Sequence, residues 1–209
     1  MFGMIWALFQ ACSTKKGFMR LVTLVFKDPH EHFIIYNAYT LAEVEFKEVV
    51  RANGSPYIDH LRITAVLVIF VMLLLGTRNV HAVVAALLHD LLEDTLWTFE
   101  KLVRRYCFDV ASLVLDVTRQ EYLDLGSRVR DELYQWQLEQ VGFWSGVIKV
   151  CDKMHNLATL WAMPMSNQTK TLQSAWDFYL PYARKRRVLP RTFLVVLLYA
   201  EMRARLKSC

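Results

Sequence analysis

The stretch AVVAALLHDLLED, residues 82–94, is the most informative part of this chain for its fold. A run of seven apolar residues leads into His89 and Asp90, and two leucines separate that pair from Glu93 and Asp94. At about 100° per residue, the four polar side chains fall within an arc of roughly 140° on a helix. Burying four ionisable groups beside an apolar helix is costly unless a cation or hydrogen bonds compensate them. The stretch therefore predicts a core helix that presents ligands to a divalent metal.

Two more residues of metal-ligand type, His60 and Asp152, lie on distant stretches of the chain. Taken singly, each candidate has an ordinary alternative as a core, surface or salt-bridged side chain. Two imidazoles and two carboxylates together form a mixed nitrogen and oxygen site that suits Mn, Fe, Co or Zn. The residues alone do not choose among these metals.

The rest of the chain predicts an all-α fold. Most segments carry the 3.6-residue apolar period of helices, and the chain has only 7 glycines and 5 prolines. Asn79 is placed to cap the helix that carries the His-Asp pair. One exception is LVTLVF, residues 21–26, whose β-branched residues predict a short N-terminal β element. We predict helices near residues 33–51, 60–75, 79–94, 99–106, 109–118, 128–140, 145–160, 168–187 and 191–207.

The chain of 209 residues is large enough for one substantial domain. We assign residues 33–209 to that domain and residues 1–32 to an N-terminal extension of uncertain structure. Residues 1–12 are apolar, but no basic residue precedes them, which is the wrong order for a secretory signal. A surface-lying or interface role and a disordered or packed extension both remain open for them.

Hydrophobic residues make up 55% of the chain, and its mean hydropathy is +0.22, so membrane insertion has to be considered. The strongest candidate, residues 65–75, is shorter than the roughly 18 to 20 apolar residues that span a bilayer. It predicts a deeply buried helix and no transmembrane segment. Four widely spaced cysteines form neither a zinc motif nor a disulfide framework, so reduced thiols in a cytoplasm are expected.

The net charge of +5 is concentrated late in the chain, around RKRR at residues 184–187. Such a run most often marks a solvated helix face; the alternatives are attraction of phosphate groups and contact with nucleic acid. Because no aromatic platform or nucleic-acid motif accompanies it, no nucleic-acid partner is expected.

Three segments in order along the chain resemble the hydrolase domain of RelA/SpoT-type proteins, a branch of the HD-domain phosphohydrolases. They are RANGSPYIDH at residues 51–60, AALLHDLLEDT at residues 85–95 and IKVCDKMHNLATL at residues 148–160. The resemblance covers about residues 36–190. It implies an HD-type helical bundle and, because a synthetase domain would follow in full-length relatives, a stand-alone small alarmone hydrolase.

The resemblance also implies roles for individual residues. A single divalent metal, Mn²⁺ in this family, would be held by His60, His89, Asp90 and Asp152. Glu93 and Asp94 would be the acid/base pair at the attacking water. Substrate contacts would come from Arg51, Tyr57, Lys149, Asn156 and Thr159. His155 matches a position outside the metal ligands, where a supporting role is expected.

The implied reaction is removal of the 3′-pyrophosphate from guanosine tetra- or pentaphosphate (ppGpp or pppGpp), with a small nucleotide as the partner. The chain departs from the family pattern at Leu61, where a proline is usual, and at residues 46–49, where FKEV replaces a His-x-Gly-Gln run. Base preference is therefore open, and an adenosine alarmone or the 2′-phosphate of NADPH is an alternative substrate. A non-catalytic regulator that binds nucleotide or lies at a membrane surface is a further alternative, suggested by the apolar N-terminus and the basic C-terminal helices. The oligomeric state is undetermined.

Overall fold

A computed structural model describes residues 12–119 and 126–206, and the regular structure in these ranges is helical. The prediction of an all-α fold is confirmed. The helices are α1 (Lys15–Val25), α2 (Pro29–Glu45), α3 (Tyr57–Leu75), α4 (Val80–Leu88), α5 (Leu91–Asp94), α6 (Phe99–Arg105), α7 (Phe108–Val117), α8 (Ser127–Gln140), α9 (Phe143–Ala158), α10 (Met165–Ser174), α11 (Leu180–Arg186) and α12 (Pro190–Leu206).

The predicted strand over residues 21–26 is wrong, because this segment lies almost entirely in α1. Thr14 caps the helix by accepting a hydrogen bond from the backbone N–H of Gly17 at 3.1 Å. The buried side chains of α1 recur at helical spacing and join the core shared with α2 and α3. This packing outweighs the β preference of the branched residues. Residues 1–11, for which a surface-lying or packed role was left open, fall outside the described ranges.

Helix α3 is the central apolar helix, and it packs against α4 and α9. Among the described residues it is the helix that is long and apolar enough to cross a membrane by length and composition. However, 67% of its most apolar window is buried inside the protein, as in the core helix of a folded domain. The helix ends at Gly76, whose φ of 63° lies in the left-handed region that glycine tolerates.

The single helix predicted over residues 79–94 is divided into α4 and α5 by a break at His89 and Asp90. Asn79 caps α4 as predicted, since its side-chain oxygen accepts from the N–H of Ala82 at 3.0 Å. Every residue of α4 from Ala82 onward is buried, so the helix fixes the position of the His-Asp pair from inside the core.

Helix α9 crosses α3 and α12 and brings the third segment of the site to the same place. The long helix predicted over residues 168–187 is interrupted by a wide π turn over Ala175–Tyr179 between α10 and α11. Pro181 follows this turn. It has no N–H to donate to the residue four positions earlier, which favours a local change of helix type.

Candidate metal centre and adjoining cleft

His89 is held by the protein through one ring nitrogen and leaves the other for a ligand. Its Nδ1 donates to the carbonyl oxygen of Ala86 at 2.9 Å, because a carbonyl can only accept. The buried Nε2 has no hydrogen-bond partner and lies 3.1 Å from Oδ2 of Asp90 and 3.7 Å from Oδ1 of Asp152. Burial opposes a charged imidazole, but the two carboxylates outweigh it and raise the pKa of His89 to about 10. The surroundings of Nε2 therefore favour a positive charge.

His60, in the first turn of α3, faces the same two carboxylates as His89. Its Nε2 lies 3.6 Å from Oδ2 of Asp90 and 3.3 Å from Oδ1 of Asp152. Its Nδ1 lies 2.7 Å from Nδ1 of His155, and the two rings stack at 5.0 Å. Burial lowers the pKa of His60, and burial together with His60 and Arg51 lowers that of His155 well below its usual value. Both rings are therefore neutral, and a His60 that uses Nε2 as a ligand donates from Nδ1 to His155.

The four predicted ligands converge from three separate stretches of sequence. The ligand atoms of His60, His89 and Asp90 all lie within 4.8 Å of one another, and Asp152 completes the group through the distances given above. Ligand atoms about 2.0 to 2.2 Å from one ion lie roughly 3.0 to 3.5 Å apart, close to what is seen here. The spacing, the donor set and the unpartnered Nε2 of His89 fit a divalent cation. We name this group of four residues the metal cage.

Both carboxylates of the cage are oriented by neighbours. Tyr57 donates to Oδ2 of Asp90 at 2.7 Å. Lys149 lies 3.1 Å from Oδ2 of Asp152, and the amide of Asn156 donates to Oδ1 of Asp152 at 2.6 Å. Burial opposes ionisation, but His89 lowers the pKa of Asp90, and Lys149 holds that of Asp152 well below its usual range. Both are therefore carboxylates at neutral pH.

Glu93 and Asp94, the predicted acid/base pair, lie on α5 at the exposed rim of the cage. Glu93 accepts a hydrogen bond from the backbone N–H of Arg119. Partial burial raises the pKa of Glu93, although Lys149 opposes the shift. Burial and the charge of Asp90 raise the pKa of Asp94. Both carboxyl groups therefore take up protons more readily than free side chains, which suits proton transfer.

Three of the predicted substrate contacts form one connected wall. The guanidinium of Arg51 donates to Oδ1 of Asn156 at 2.9 Å and to Oγ1 of Thr159 at 3.0 Å. These residues and Tyr57 line a cleft of about 340 Å³. Because Asn156 also contacts Asp152, the wall of the cleft is joined directly to the metal cage.

The other two predicted contacts have different surroundings. Lys149 is buried behind Asp152, with its amine 5.2 Å from the centre of the Tyr134 ring. Burial opposes its charge, but Tyr134 and Asp152 raise the pKa of Lys149 well above its usual value. The hydroxyl of Tyr57 is directed at Asp90 and, at 3.5 Å, at Asp94. This geometry gives both side chains a contact with the cage that sequence reasoning did not foresee.

A second cleft of about 180 Å³ adjoins the first, and Lys153 and Thr171 line both. Arg119 and Lys170 add two further cations to its walls, and Asp131, which pairs with Arg119 at 2.9 Å, adds one carboxylate, so the cleft keeps a net positive charge. Such a surface attracts phosphate groups. Sequence reasoning missed these residues, although Lys153 directly follows Asp152 and was therefore detectable as a neighbour of the cage.

The fold and the cage together define a helical protein with a divalent metal site built around a His-Asp pair. Residues 38–188 match the HD domain family, and the chain belongs to this family. Membership implies a divalent metal site, consistent with the cluster of His60, His89 and Asp90.

Several relatives carry names related to guanosine phosphates. A guanosine-3′,5′-bis(diphosphate) 3′-pyrophosphohydrolase of Aquifex aeolicus is 31% identical over 153 residues, which cover 72% of this chain and 21% of that protein. A protein of the same name from Borreliella burgdorferi is 28% identical over 174 residues, covering 80% and 25%. A probable GTP pyrophosphokinase of Mycobacterium leprae is 30% identical over 154 residues, covering 73% and 19%. The chain thus spans a fifth to a quarter of the length of these relatives.

A solved structure shares the fold. It is a metazoan ortholog of SpoT, described as hydrolysing ppGpp and playing a role in starvation responses. The TM-score is 0.62 at 21% sequence identity, and the match covers 80% of this chain and 93% of that one. At this identity the likeness establishes the helical architecture alone.

Proposed function

We propose that this chain is a metal-dependent phosphohydrolase that removes the 3′-pyrophosphate of ppGpp or pppGpp to give GDP or GTP and pyrophosphate. The observation that carries the proposal is the convergence of His60, His89, Asp90 and Asp152, with Glu93 and Asp94 on the adjoining helix. Asn156 and Tyr57 connect this cage to the larger cleft. The names of the Aquifex and Borreliella relatives support the substrate class.

His60, His89, Asp90 and Asp152 would hold the metal, which we propose to be Mn²⁺ on the basis of the family resemblance. A bound divalent cation supplies Lewis-acid stabilisation of phosphoryl oxygens and lowers the pKa of water. The donor set itself also accepts Fe, Co or Zn, so metal identity has to be measured.

The protein's own groups handle the protons. As water bonds to the phosphorus next to the ribose 3′ oxygen, Glu93 takes a proton from the water. The bond from that phosphorus to the 3′ oxygen breaks, and Asp94, whose pKa is raised by burial and by Asp90, supplies a proton to the leaving 3′ oxygen. The N–H of Arg119 donates to the Glu93 carboxylate and restricts its orientation.

Each of the two clefts binds a different part of the substrate. Arg51, Asn156 and Thr159 bind the nucleoside, because their polar atoms line the larger cleft next to Asp152. Lys153, Lys170 and Arg119 bind phosphate groups in the smaller one. The three described cysteines are free thiols, which supports a cytoplasmic location.

A second candidate keeps the chemistry and changes the nucleotide to an adenosine alarmone or NADPH. The observation in its favour is the position of Phe46, which begins the stretch that departs from the family pattern. Its ring stacks at 4.8 Å on Tyr57, a residue of the larger cleft. The altered stretch therefore contacts the wall that we assign to the nucleoside.

A turnover assay with a nucleotide panel separates the candidates. Mn²⁺-loaded protein is incubated with ppGpp, ppApp and NADPH, with and without chelator, and kcat/KM is measured from released pyrophosphate or phosphate. We expect ppGpp to be hydrolysed fastest and chelator to abolish turnover. Faster turnover of another nucleotide would establish the second candidate. Nucleotide binding without turnover, unchanged in Glu93→Gln, would establish a non-catalytic regulator instead.

A further inference from the structure

Helix α12 carries apolar side chains on two opposite faces. Phe193, Leu197, Ala200 and Ala204 are buried against the rest of the domain, chiefly α9 and α11. The opposite side, which we name the outer face, consists of Val195, Leu198, Tyr199, Met202 and Leu206, which are 43%, 49%, 45%, 51% and 71% exposed. The helix therefore has more apolar surface than its packing uses.

The outer face forms one continuous stripe. Its members recur every three or four residues, so they share one side of the helix over about 16 Å. Scattered exposed apolar residues are ordinary, whereas a contiguous stripe marks an interaction surface.

The chain around the outer face is strongly basic. Residues 184–206 contain seven basic residues and one acidic residue. Arg184, Arg187 and Arg191 are exposed just before the stripe, and Arg205 is exposed at its far end. The acidic residue, Glu201, lies 2.6 Å from Arg205 in an ion pair. Glu201 thus offsets the charge of Arg205, whereas the charges of Arg184, Arg187 and Arg191 before the stripe have no acidic residue within this segment to offset them.

We propose that the outer face of α12 docks onto an anionic membrane surface. An apolar stripe with basic neighbours matches the acyl chains and the anionic headgroups of such a surface. A second copy of this chain in a symmetric dimer is disfavoured, because it would bring the same basic segment against itself. The aromatic ring of Tyr199, with Arg203 at 5.8 Å, adds the combination of aromatic and cation that is typical of the membrane interface.

The packing of α12 sets how the helix would lie. Because its inner face stays in the core, the helix axis lies along the surface and only the outer side chains enter the acyl boundary. The apolar side chains of one helix face give reversible membrane binding. Each basic residue near the membrane surface raises the affinity roughly fivefold. Binding is therefore expected to weaken strongly as salt is added.

Vesicle co-sedimentation of the full chain tests the proposal. We expect binding to vesicles of phosphatidylcholine mixed with phosphatidylglycerol and little binding to phosphatidylcholine alone. The double variant Leu198→Gln/Met202→Gln should bind about tenfold or more weakly, because two apolar side chains no longer enter the membrane. Leu96→Gln is the matched control, since Leu96 is 90% exposed outside α12 and should bind like the wild type.

The basic residues are tested separately. Arg184→Gln/Arg187→Gln/Arg191→Gln should weaken binding and flatten its salt dependence, whereas Lys47→Gln/Arg128→Gln, at two other exposed basic positions, should not.

Circular dichroism checks folding, and Leu206→Gln at the exposed end of α12 is a second variant if the double variant fails to fold. Equal binding to both vesicle types, or unchanged binding of the outer-face variants, would overturn the proposal. It would also be overturned by a wild-type dimer that Leu198→Gln/Met202→Gln converts to a monomer.

Discussion

At the scale of single residues, the ligands of the cage divide their polar atoms between the protein and the proposed ion. His89 uses Nδ1 for a backbone carbonyl, and His60 uses Nδ1 for His155. Asp152 uses Oδ2 for Lys149, and its Oδ1, which also accepts from Asn156, faces both imidazoles. Such partners fix ring orientation and proton position before a metal arrives, which lowers the cost of binding it.

Glu93→Gln tests the assignment of the general base. The substitution keeps the shape of the side chain but removes its ability to accept the proton, so kcat should fall by about 10² to 10⁴ while metal content is unchanged. Because burial raises the pKa of Glu93, the wild-type rate should fall with decreasing pH at a higher pH than for an ordinary glutamate. That acid limb should disappear in Glu93→Gln. Elemental analysis and a pH–rate profile provide the measurements, and a variant that lacks metal would contradict the role.

His155→Ala tests a positioning role. Without the acceptor for Nδ1 of His60, the ring of His60 is free to turn, and metal affinity should fall by about 10- to 100-fold. At saturating metal, kcat should largely recover, because His155 does not face the reacting groups. His81→Ala is the control, since His81 pairs with Asp109 at 3.4 Å and has no contact with the cage. Calorimetric titration of the metal-free proteins with Mn²⁺ measures the affinities. Equal metal affinity of His155→Ala and the wild type would contradict a positioning role for His155.

The sequence pointed to the candidate residues of the site, but it did not predict the hydrogen bonds between them. His89, Asp90, Glu93 and Asp94 were picked out by their spacing on one predicted helix, although the helix breaks at His89 and Asp90. The hydrogen bond between Arg51 and Asn156 joins residues 105 apart, which no local pattern encodes. Their placement on one site came from resemblance to a family, and only the fold shows that they touch.

At the scale of elements, helix existence was predictable and the interruptions were not. The predicted strand over residues 21–26 was wrong because propensity describes a residue in isolation, whereas α1 is stabilised by its cap at Thr14 and by packing of Phe18 and Val22. The break at His89 and Asp90 could not be predicted from the sequence, because no glycine or proline lies near it. It arises where the buried part of α4 ends and polar side chains turn towards the cage.

Asn79→Ala tests the start of α4. Loss of the hydrogen bond to the N–H of Ala82 should lower the free energy of unfolding by about 1 kcal/mol. Asn79→Asp keeps an oxygen acceptor and should remain close to the wild type. Urea denaturation followed by circular dichroism measures both variants. If Asn79→Ala is as stable as Asn79→Asp, the cap does not stabilise α4.

At the scale of the whole molecule, the core is built around a site that requires positive charge. Helices α3, α4 and α9 are buried along most of their lengths, yet they meet at two carboxylates and two imidazoles. Without a metal, a proton on His89 supplies part of the compensating charge. A cation that binds the cage must replace this proton, so metal affinity, folding stability and pH are linked.

This linkage predicts that Mn²⁺ raises Tm more at higher pH. The raised pKa of His89, about 10, means that its proton stabilises the metal-free fold fully below the unfolded value of about 6.5 and that this contribution is lost as pH rises towards 10. Between these values the metal must displace one proton, so its apparent affinity should rise up to about tenfold per pH unit. Differential scanning calorimetry at about pH 6.5 and pH 8.5 should show the larger metal-induced shift at the higher pH. In Asp152→Asn the shift should be lost, because the cage loses one carboxylate. A wild-type shift that is independent of pH would show that the cation binds elsewhere.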